Sequence, residues 1–122
     1  SCTQFEYRSL EIHTPALPID GTLRVSAVIQ NTGERAGEEV VQLYVRDLVG
    51  SVTRPVKELK GFQKIALQPG EQRQVLFELP VAQLGFHGLD MQYVVEPGAF
   101  TLWIGPDSTR GLSGGFEVLP NA

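Results

Sequence analysis

Hydrophobic and polar residues alternate along residues 40–46, where Val41, Leu43 and Val45 share one face. A period of two in β-branched and aromatic residues is typical of a half-buried strand. We therefore predict a strand whose Val41 face lies in the core. Tyr44, on the opposite face, is expected to lie against a neighbouring strand or a partner surface.

The same alternation recurs along the chain and predicts further strands at residues 4–12, 22–31, 72–79, 91–95, 99–105 and 114–119. A slip in phase between Tyr7 and Leu10 indicates a bulge in the first of them. Residues 81–84 are predicted to form a short helical turn, and residues 86–88 to be irregular. The positions predicted to point inward are Leu23, Val25, Ala27, Ile29, Val75, Phe77, Leu79, Phe100, Leu102, Ile104, Phe116 and Val118.

Turn-forming residues separate these strands, and no segment sustains a helical period. Residues 14–21 contain Pro15, Pro18 and an Asp-Gly pair, all favoured in turns. Residues 23–45 are expected to form two adjacent antiparallel strands, with a hairpin as one option. About seven short strands with such turns indicate an all-β, immunoglobulin-like two-sheet antiparallel sandwich. No inter-sheet cysteine pair is present, so the fibronectin type III variant is favoured.

A basic segment follows the Val41 strand. Residues 47–53 are predicted to form a loop, and Arg54-Pro55 favours an extended chain, because the residue before proline avoids the α region. Lys57 and Lys60 then lie along a segment ending at Phe62, which is typical of a sheet edge. The basic run, which continues to Lys64, is either a solvated edge or a docking surface for an acidic neighbour.

Composition narrows the function. The chain has 122 residues, 42% hydrophobic, and a net charge of −4, which indicates one folded domain and disfavours nucleic acid as a partner. No apolar run approaches the roughly 20 residues that span a membrane. Cys2 is the only cysteine, so the chain cannot form an internal disulfide. Because it begins at Ser1, we interpret the chain as an excised or processed piece of a larger protein, so that any targeting segment would lie outside it.

No constellation of catalytic residues is visible. The acidic residues at strand ends and in turns are expected to be solvated or to cap turns; they are Glu38, Glu39, Asp47, Asp90, Glu96 and Asp107. His13 and His87 have no neighbours that complete a metal site, and no G-x-S-x-G nucleophile turn is present. We therefore predict no catalytic residue, cofactor or metal. Trp103 is open to three interpretations: packing in the core or on the second sheet, a protein interface, or a platform for a sugar ring.

Four motifs carry a family resemblance: NTGERAGEEVVQLYVRD (31–47), RPVKELKGF (54–62), LQPGEQRQVLFEL (67–79) and VVEPGAFTLWIG (94–105). In order and spacing they resemble the C-terminal fibronectin type III-like domain of glycoside hydrolase family 3, and in particular of bacterial periplasmic β-glucosidases. The resemblance implies a parent enzyme that cleaves β-linked glucosides with retention, or xylosides in related members. Its catalytic aspartate and glutamate would lie in upstream domains, so no residue here inherits a catalytic role. At Cys2 the family usually has tyrosine.

The resemblance also implies what the domain does and where. It would pack on the catalytic domains of the same parent chain and stabilise them, in the periplasm or outside the cell. We predict that the contact residues are Asp47, Arg54, Pro55, Lys57, Lys60 and Phe62. The alternative is an independent carbohydrate-binding or adhesion module of the same fold, because fold alone does not determine function.

Overall fold

A computed structural model describes residues 3–48, 57–84, 86–87, 93–94 and 97–120. As the alternation predicts, the regular elements in these residues are mostly strands. They are β1 (Phe5–Ile12), β2 (Ala16–Leu17), β3 (Thr22–Asn31), β4 (Gly37–Asp47), β5 (Lys57–Leu67), β6 (Gln72–Pro80), β7 (Phe86–His87), β8 (Tyr93–Val94), β9 (Gly98–Gly105) and β10 (Leu112–Val118). A turn of 3₁₀ helix, Val81–Leu84, follows β6 and confirms the predicted helical turn.

Eight of these strands form two sheets, in the orders β1-β3-β6 and β2-β10-β9-β4-β5. The two-sheet sandwich is thereby confirmed. The extra strand is β2, which lies in the segment predicted to form only turns and pairs parallel to β10. Leu17 is 2% exposed, so the chain between Pro15 and Pro18 stays extended to place this side chain in the core.

The core lies between the sheets and is built from the predicted inward positions. Ile29 of β3, Val41 of β4 and Leu102 of β9 are each 0% exposed, and the alternate positions of these strands face outward. The rings of Phe100 and Phe116 stack at 5.1 Å between centroids, across β9 and β10. Each such aliphatic or aromatic side chain stabilises the fold by about 1.5–3 kcal/mol through burial.

The prediction that residues 23–45 form adjacent antiparallel strands is wrong. β3 pairs with β1 and β6, whereas β4 pairs with β5 and β9 in the other sheet. The connection 32–36 therefore crosses from one sheet to the other. Asn31 fixes this crossing: it is 0% exposed, and its Nδ2 donates to the carbonyl oxygens of Arg35 at 2.7 Å and Leu67 at 3.1 Å. Because Asn31 belongs to β3 and its amide bonds to β5 of the other sheet, the turn residues that resemble a hairpin signal serve a crossover instead.

The remaining local predictions are confirmed in part. The bulge in β1 is present, with a register shift between Arg8 and Glu11 and a positive φ of 58° at Ser9. Residues 86–88 are predicted to be irregular, but Phe86–His87 pairs with Tyr93–Val94. Each of these two strands is only 2 residues long, which is too short to show a period of two. The described residues include no helix that is long and apolar enough to cross a membrane.

Candidate docking surface

Strand β5 lies at one edge of the five-stranded sheet, as the basic segment predicts. Its register against β4 skips Lys60, because Leu59 lies opposite Tyr44 and Gly61 opposite Leu43. This is a β-bulge, a common protection of sheet edges. Near the other end of β5, Arg73 of β6 donates to the Ala66 carbonyl oxygen at 3.2 Å. The edge is thus bulged at one end and covered by a side chain at the other.

Three large side chains form a row across the outer face of this sheet. Tyr44 of β4 lies directly opposite Leu59 of β5 on one side and Trp103 of β9 on the other. Residues directly opposite in antiparallel strands point to the same face, with Cβ atoms about 4.5–5.5 Å apart. The alternation of the sequence predicts that Tyr44 and Trp103 point outward, but only the strand order shows that they are neighbours.

Lys57 lies over this row. Its Nζ is 4.0 Å from the centroid of the Trp103 ring and 5.6 Å from that of Tyr44. It also donates to the carbonyl oxygen of Ser108. A cation over an aromatic face is attracted by the ring quadrupole, by about 0.5–1 kcal/mol at exposed sites. Lys57 therefore ties the edge strand to β9 and to the loop that follows it.

Two apolar side chains, one beside this row and one within it, are open to solvent. Phe62 is 66% exposed and Leu59 is 49% exposed. We call the surface formed by Tyr44, Arg46, Lys57, Leu59, Phe62 and Trp103 the aromatic face. Aromatic residues and arginine are enriched where protein surfaces meet.

The outer face of the three-stranded sheet has a different character. Arg8 donates to Gln30 at 2.6 Å and also to Gln72, so a polar ladder crosses all three strands. Arg24 pairs with Glu78 at 2.7 Å between β3 and β6. These side chains satisfy one another and face water, and the aromatic face is therefore the better candidate for a contact with another body.

The predicted contact residues fall into three groups. Lys57 and Phe62 belong to the aromatic face. Asp47 and Lys60 are described but lie outside the aromatic face. Asp47 is the last residue of β4 and is in register with Phe100. Lys60 occupies the bulge, where its side chain is only 13% exposed and its Nζ is 3.9 Å from Glu58. The predicted loop continues from Asp47 through residues 49–53, which lie outside the described residues. Arg54 and Pro55 also lie outside them.

The loop 106–110 is held beside the aromatic face by its own side chains. Asp107 Oδ1 accepts from the backbone N–H groups of Thr109 at 2.9 Å and Arg110 at 3.0 Å, and Oδ2 pairs with Arg110 at 2.8 Å. The Thr109 N–H and then the Arg110 guanidinium hold the pKa of Asp107 well below its ordinary value, and this pairing raises the pKa of Arg110. The turn-capping role expected of Asp107 is thereby confirmed.

A polar cleft of about 590 Å³ lies between β1 and this loop, with Glu6, Glu39 and Arg110 in its lining. Tyr7 donates to Glu39 at 3.0 Å, and burial together with the Glu39 charge raises the pKa of Tyr7. Glu6 lies 3.8 Å from Arg8, and Arg110 is held by Asp107. The charged groups of the cleft thus have partners in the same chain, and we assign the cleft no ligand.

One histidine stands near a serine and a carboxylate. His13 Nε2 is 3.1 Å from Ser26 Oγ, and its Nδ1 is 3.6 Å from Glu11. Ser26 is 1% exposed in the middle of β3, so a substrate cannot reach its hydroxyl. This cluster is therefore not a nucleophilic triad. The part of the chain that the structure describes also holds no group of three or more residues that could bind a metal.

Comparisons with known proteins agree with this architecture. The family model described as "Fibronectin type III-like domain" matches residues 39–108. The periplasmic beta-glucosidase of Salmonella typhimurium is 42% identical over 119 residues, which are 98% of this chain and 16% of that protein. A beta-xylosidase of Formosa agariphila is 44% identical over 108 residues, 88% of this chain and 15% of that protein.

Solved structures show the same relationship. The beta-glucosidase of Listeria innocua, determined in complex with glucose, superposes with a TM-score of 0.88 at 35% identity and covers 98% of this chain. This chain corresponds to 16% of the Listeria chain, so it spans about one-sixth of these relatives. The sequence match and the shared sandwich lead to one conclusion: this chain belongs to the fibronectin type III-like domain family.

Proposed function

We propose that the chain is a non-catalytic accessory domain of a glycoside hydrolase of family 3 that acts on β-glucosides. Its role is to pack on the catalytic domains of the same parent chain and to stabilise them. The beta-glucosidase and beta-xylosidase relatives support this proposal. They match this chain over 88–98% of its length but over only 15–16% of their own. In the cluster of His13, Glu11 and Ser26, the serine is 1% exposed and therefore out of reach of a substrate. A β-xyloside is the second candidate substrate, since a beta-xylosidase is among the relatives.

The observation that carries the docking proposal is the difference between the two outer faces. The three-stranded sheet presents paired polar groups and Leu76 at 45% exposure, whereas the five-stranded sheet presents Phe62 at 66% and Leu59 at 49% exposure beside Tyr44 and Trp103. Exposed apolar patches with a polar rim mark interaction sites. The occupant we propose is the remainder of the parent chain, because it is covalently attached and therefore at high effective concentration.

The cellular location follows from the same proposal. One relative is named as a periplasmic enzyme. We therefore place the parent protein in the periplasm or outside the cell.

An independent carbohydrate-binding module is less well supported. Its best platform is Trp103, but Lys57 covers one face of that ring at 4.0 Å. A sugar would have to displace this cation before stacking. Calorimetric titration of the chain with glucose and cellobiose tests this alternative, for which we expect no heat of binding.

A matched pair of substitutions in the parent protein tests the docking proposal. Leu59→Asp places a charge on the aromatic face, and Leu76→Asp places one on the opposite sheet at similar exposure, 49% against 45%. We expect Leu59→Asp alone to lower the first melting transition, by about 2–4 °C for each kcal/mol of lost contact. Equal shifts for the two variants would contradict docking through the aromatic face.

A further inference from the structure

Two cations on the aromatic face lie side by side without a carboxylate. Arg46 of β4 and Lys57 of β5 are directly opposite in register. Within the described residues, neither has an Asp or Glu oxygen within 4.0 Å, and Arg46 is exposed. Like charges at directly opposite positions of a sheet are destabilising. The isolated domain therefore has an unfavourable pair at this position.

Elsewhere in the described chain, cations are usually paired. The ones with a carboxylate within 4.0 Å are Arg8, Arg24, Lys60, Lys64, Arg73 and Arg110. The chain as a whole is acidic, with a net charge of −4, so carboxylates are not scarce. The positive charge at Arg46 and Lys57 is thus a local feature of the aromatic face.

The two cations differ in what holds them. Lys57 is held by the Trp103 ring and the Ser108 carbonyl oxygen, so its ammonium group has a defined position. Arg46 makes no such contact in the described chain, and its guanidinium is available for two parallel hydrogen bonds to a carboxylate. Arginine is the residue best suited to that planar geometry.

We propose that the docking partner presents a carboxylate to Arg46 and Lys57. This inference rests on the proposed function: the group is an Asp or Glu side chain on the catalytic part of the same parent chain. It would lie against the Arg46 guanidinium near the Lys57 ammonium, with apolar contacts at Leu59 and Phe62 beside it. Such a group removes the like-charge repulsion only in the docked state, so it couples charge to docking.

The test is the sign of the effect of Arg46→Glu in the full-length parent protein. Without a partner carboxylate, this change relieves repulsion and places an acid opposite Lys57, which stabilises the sheet or leaves it unchanged. If the partner does present a carboxylate, Arg46→Glu places two carboxylates next to each other, and their repulsion weakens docking. We expect hydrogen exchange at the amides of β5 to become about tenfold faster, since each tenfold corresponds to about 1.4 kcal/mol.

Two further variants make the result decisive. Arg46→Gln should have a smaller effect of the same sign, and Arg35→Glu, a charge reversal in the 32–36 connection, should leave exchange at β5 unchanged. If Leu59→Asp speeds exchange but Arg46→Glu slows it or has no effect, the docking proposal stands and the inference of a partner carboxylate is overturned. If neither variant changes exchange at β5, the docking proposal and the inference both fail.

Discussion

Lys57 Nζ lies 4.0 Å from the centroid of the Trp103 ring, which it reaches from β5 across the intervening strand β4. The contact joins the edge of the sheet to its interior strands on the outer face. Lys57 also holds the loop 106–110 beside these strands, because its ammonium donates to the Ser108 carbonyl oxygen. One side chain therefore organises the surface that we propose for docking.

Removing this cation should weaken the chain modestly. We expect Lys57→Met to lower the free energy of unfolding by about 0.5–1 kcal/mol, because it deletes the attraction between the ammonium and the ring. Trp103 is the only tryptophan of the chain, so its fluorescence in a urea titration reports on this environment directly. Lys64→Met is the control: its Nζ is 3.4 Å from Glu38 in an exposed pair, and such pairs contribute about 0–1 kcal/mol. An unchanged emission spectrum in Lys57→Met would contradict the contact.

Asn31 should be among the most sensitive polar positions. Asn31→Ala leaves the Arg35 and Leu67 carbonyl oxygens and the Gly33 N–H without the amide that now bonds them. We expect a loss of about 2–4 kcal/mol in the free energy of unfolding, since buried polar groups left without partners cost 1–3 kcal/mol each. Thr32→Ala, next in the chain, should cost under about 0.5 kcal/mol. Chemical denaturation of both variants measures the difference, and similar midpoints would refute this role for Asn31.

The glycine that directly follows the loop 106–110 has little freedom to change. Gly111 has a φ of 128°, and an added Cβ would overlap the Ile104 carbonyl oxygen. We expect Gly111→Ala to cost about 3 kcal/mol, from backbone strain together with crowding. Gly70→Ala is the matched control, because Gly70 has a φ of 78° with nothing within 4 Å of the added atom. That variant should lose only about 1–2 kcal/mol, and thermal melting of the two variants distinguishes strain alone from strain with overlap.

Asp107 should make stability depend on pH in the acid range. Its folded-state pKa is depressed, so its contribution is present above its ordinary pKa of 3.8 and is lost as pH falls through the lower folded value. Asp107→Asn should therefore be less stable than the unchanged chain at neutral pH, and the difference should shrink below about pH 4. Urea titrations at a series of pH values measure it. A difference that stays constant down to the lowest pH would show that the carboxylate charge is not responsible.

The local pattern of the sequence predicts much of this fold. Alternation correctly identifies the core positions of β3, β4, β6 and β9, because a period of two directly reports which side of a strand is buried. It cannot report which strands pair, since that depends on contacts distant in sequence. For this reason the crossover at Asn31 resembles a hairpin in the sequence.

The same limit applies to the candidate site: features of a single strand can be predicted from the sequence, but contacts between strands cannot. The lysines of β5 predict that it lies at a sheet edge. The alternation in β4 and β9 predicts that Tyr44 and Trp103 point outward. Their adjacency and the position of Lys57 over both rings depend on the strand order. The pairing of Arg46 with Lys57 depends on a register that includes the Lys60 bulge. A one-residue bulge has no distinct sequence signal here.

Thiol accessibility in the parent protein tests the central claim most directly. With the native cysteines replaced by serine, Phe62→Cys and Leu76→Cys report on the two outer faces, at positions 66% and 45% exposed in this chain. We predict that Phe62→Cys reacts at least about tenfold more slowly in the parent than in the 122-residue chain, while Leu76→Cys reacts equally in both. If Phe62→Cys reacts as fast in the parent as in the 122-residue chain, the aromatic face is not the docking surface.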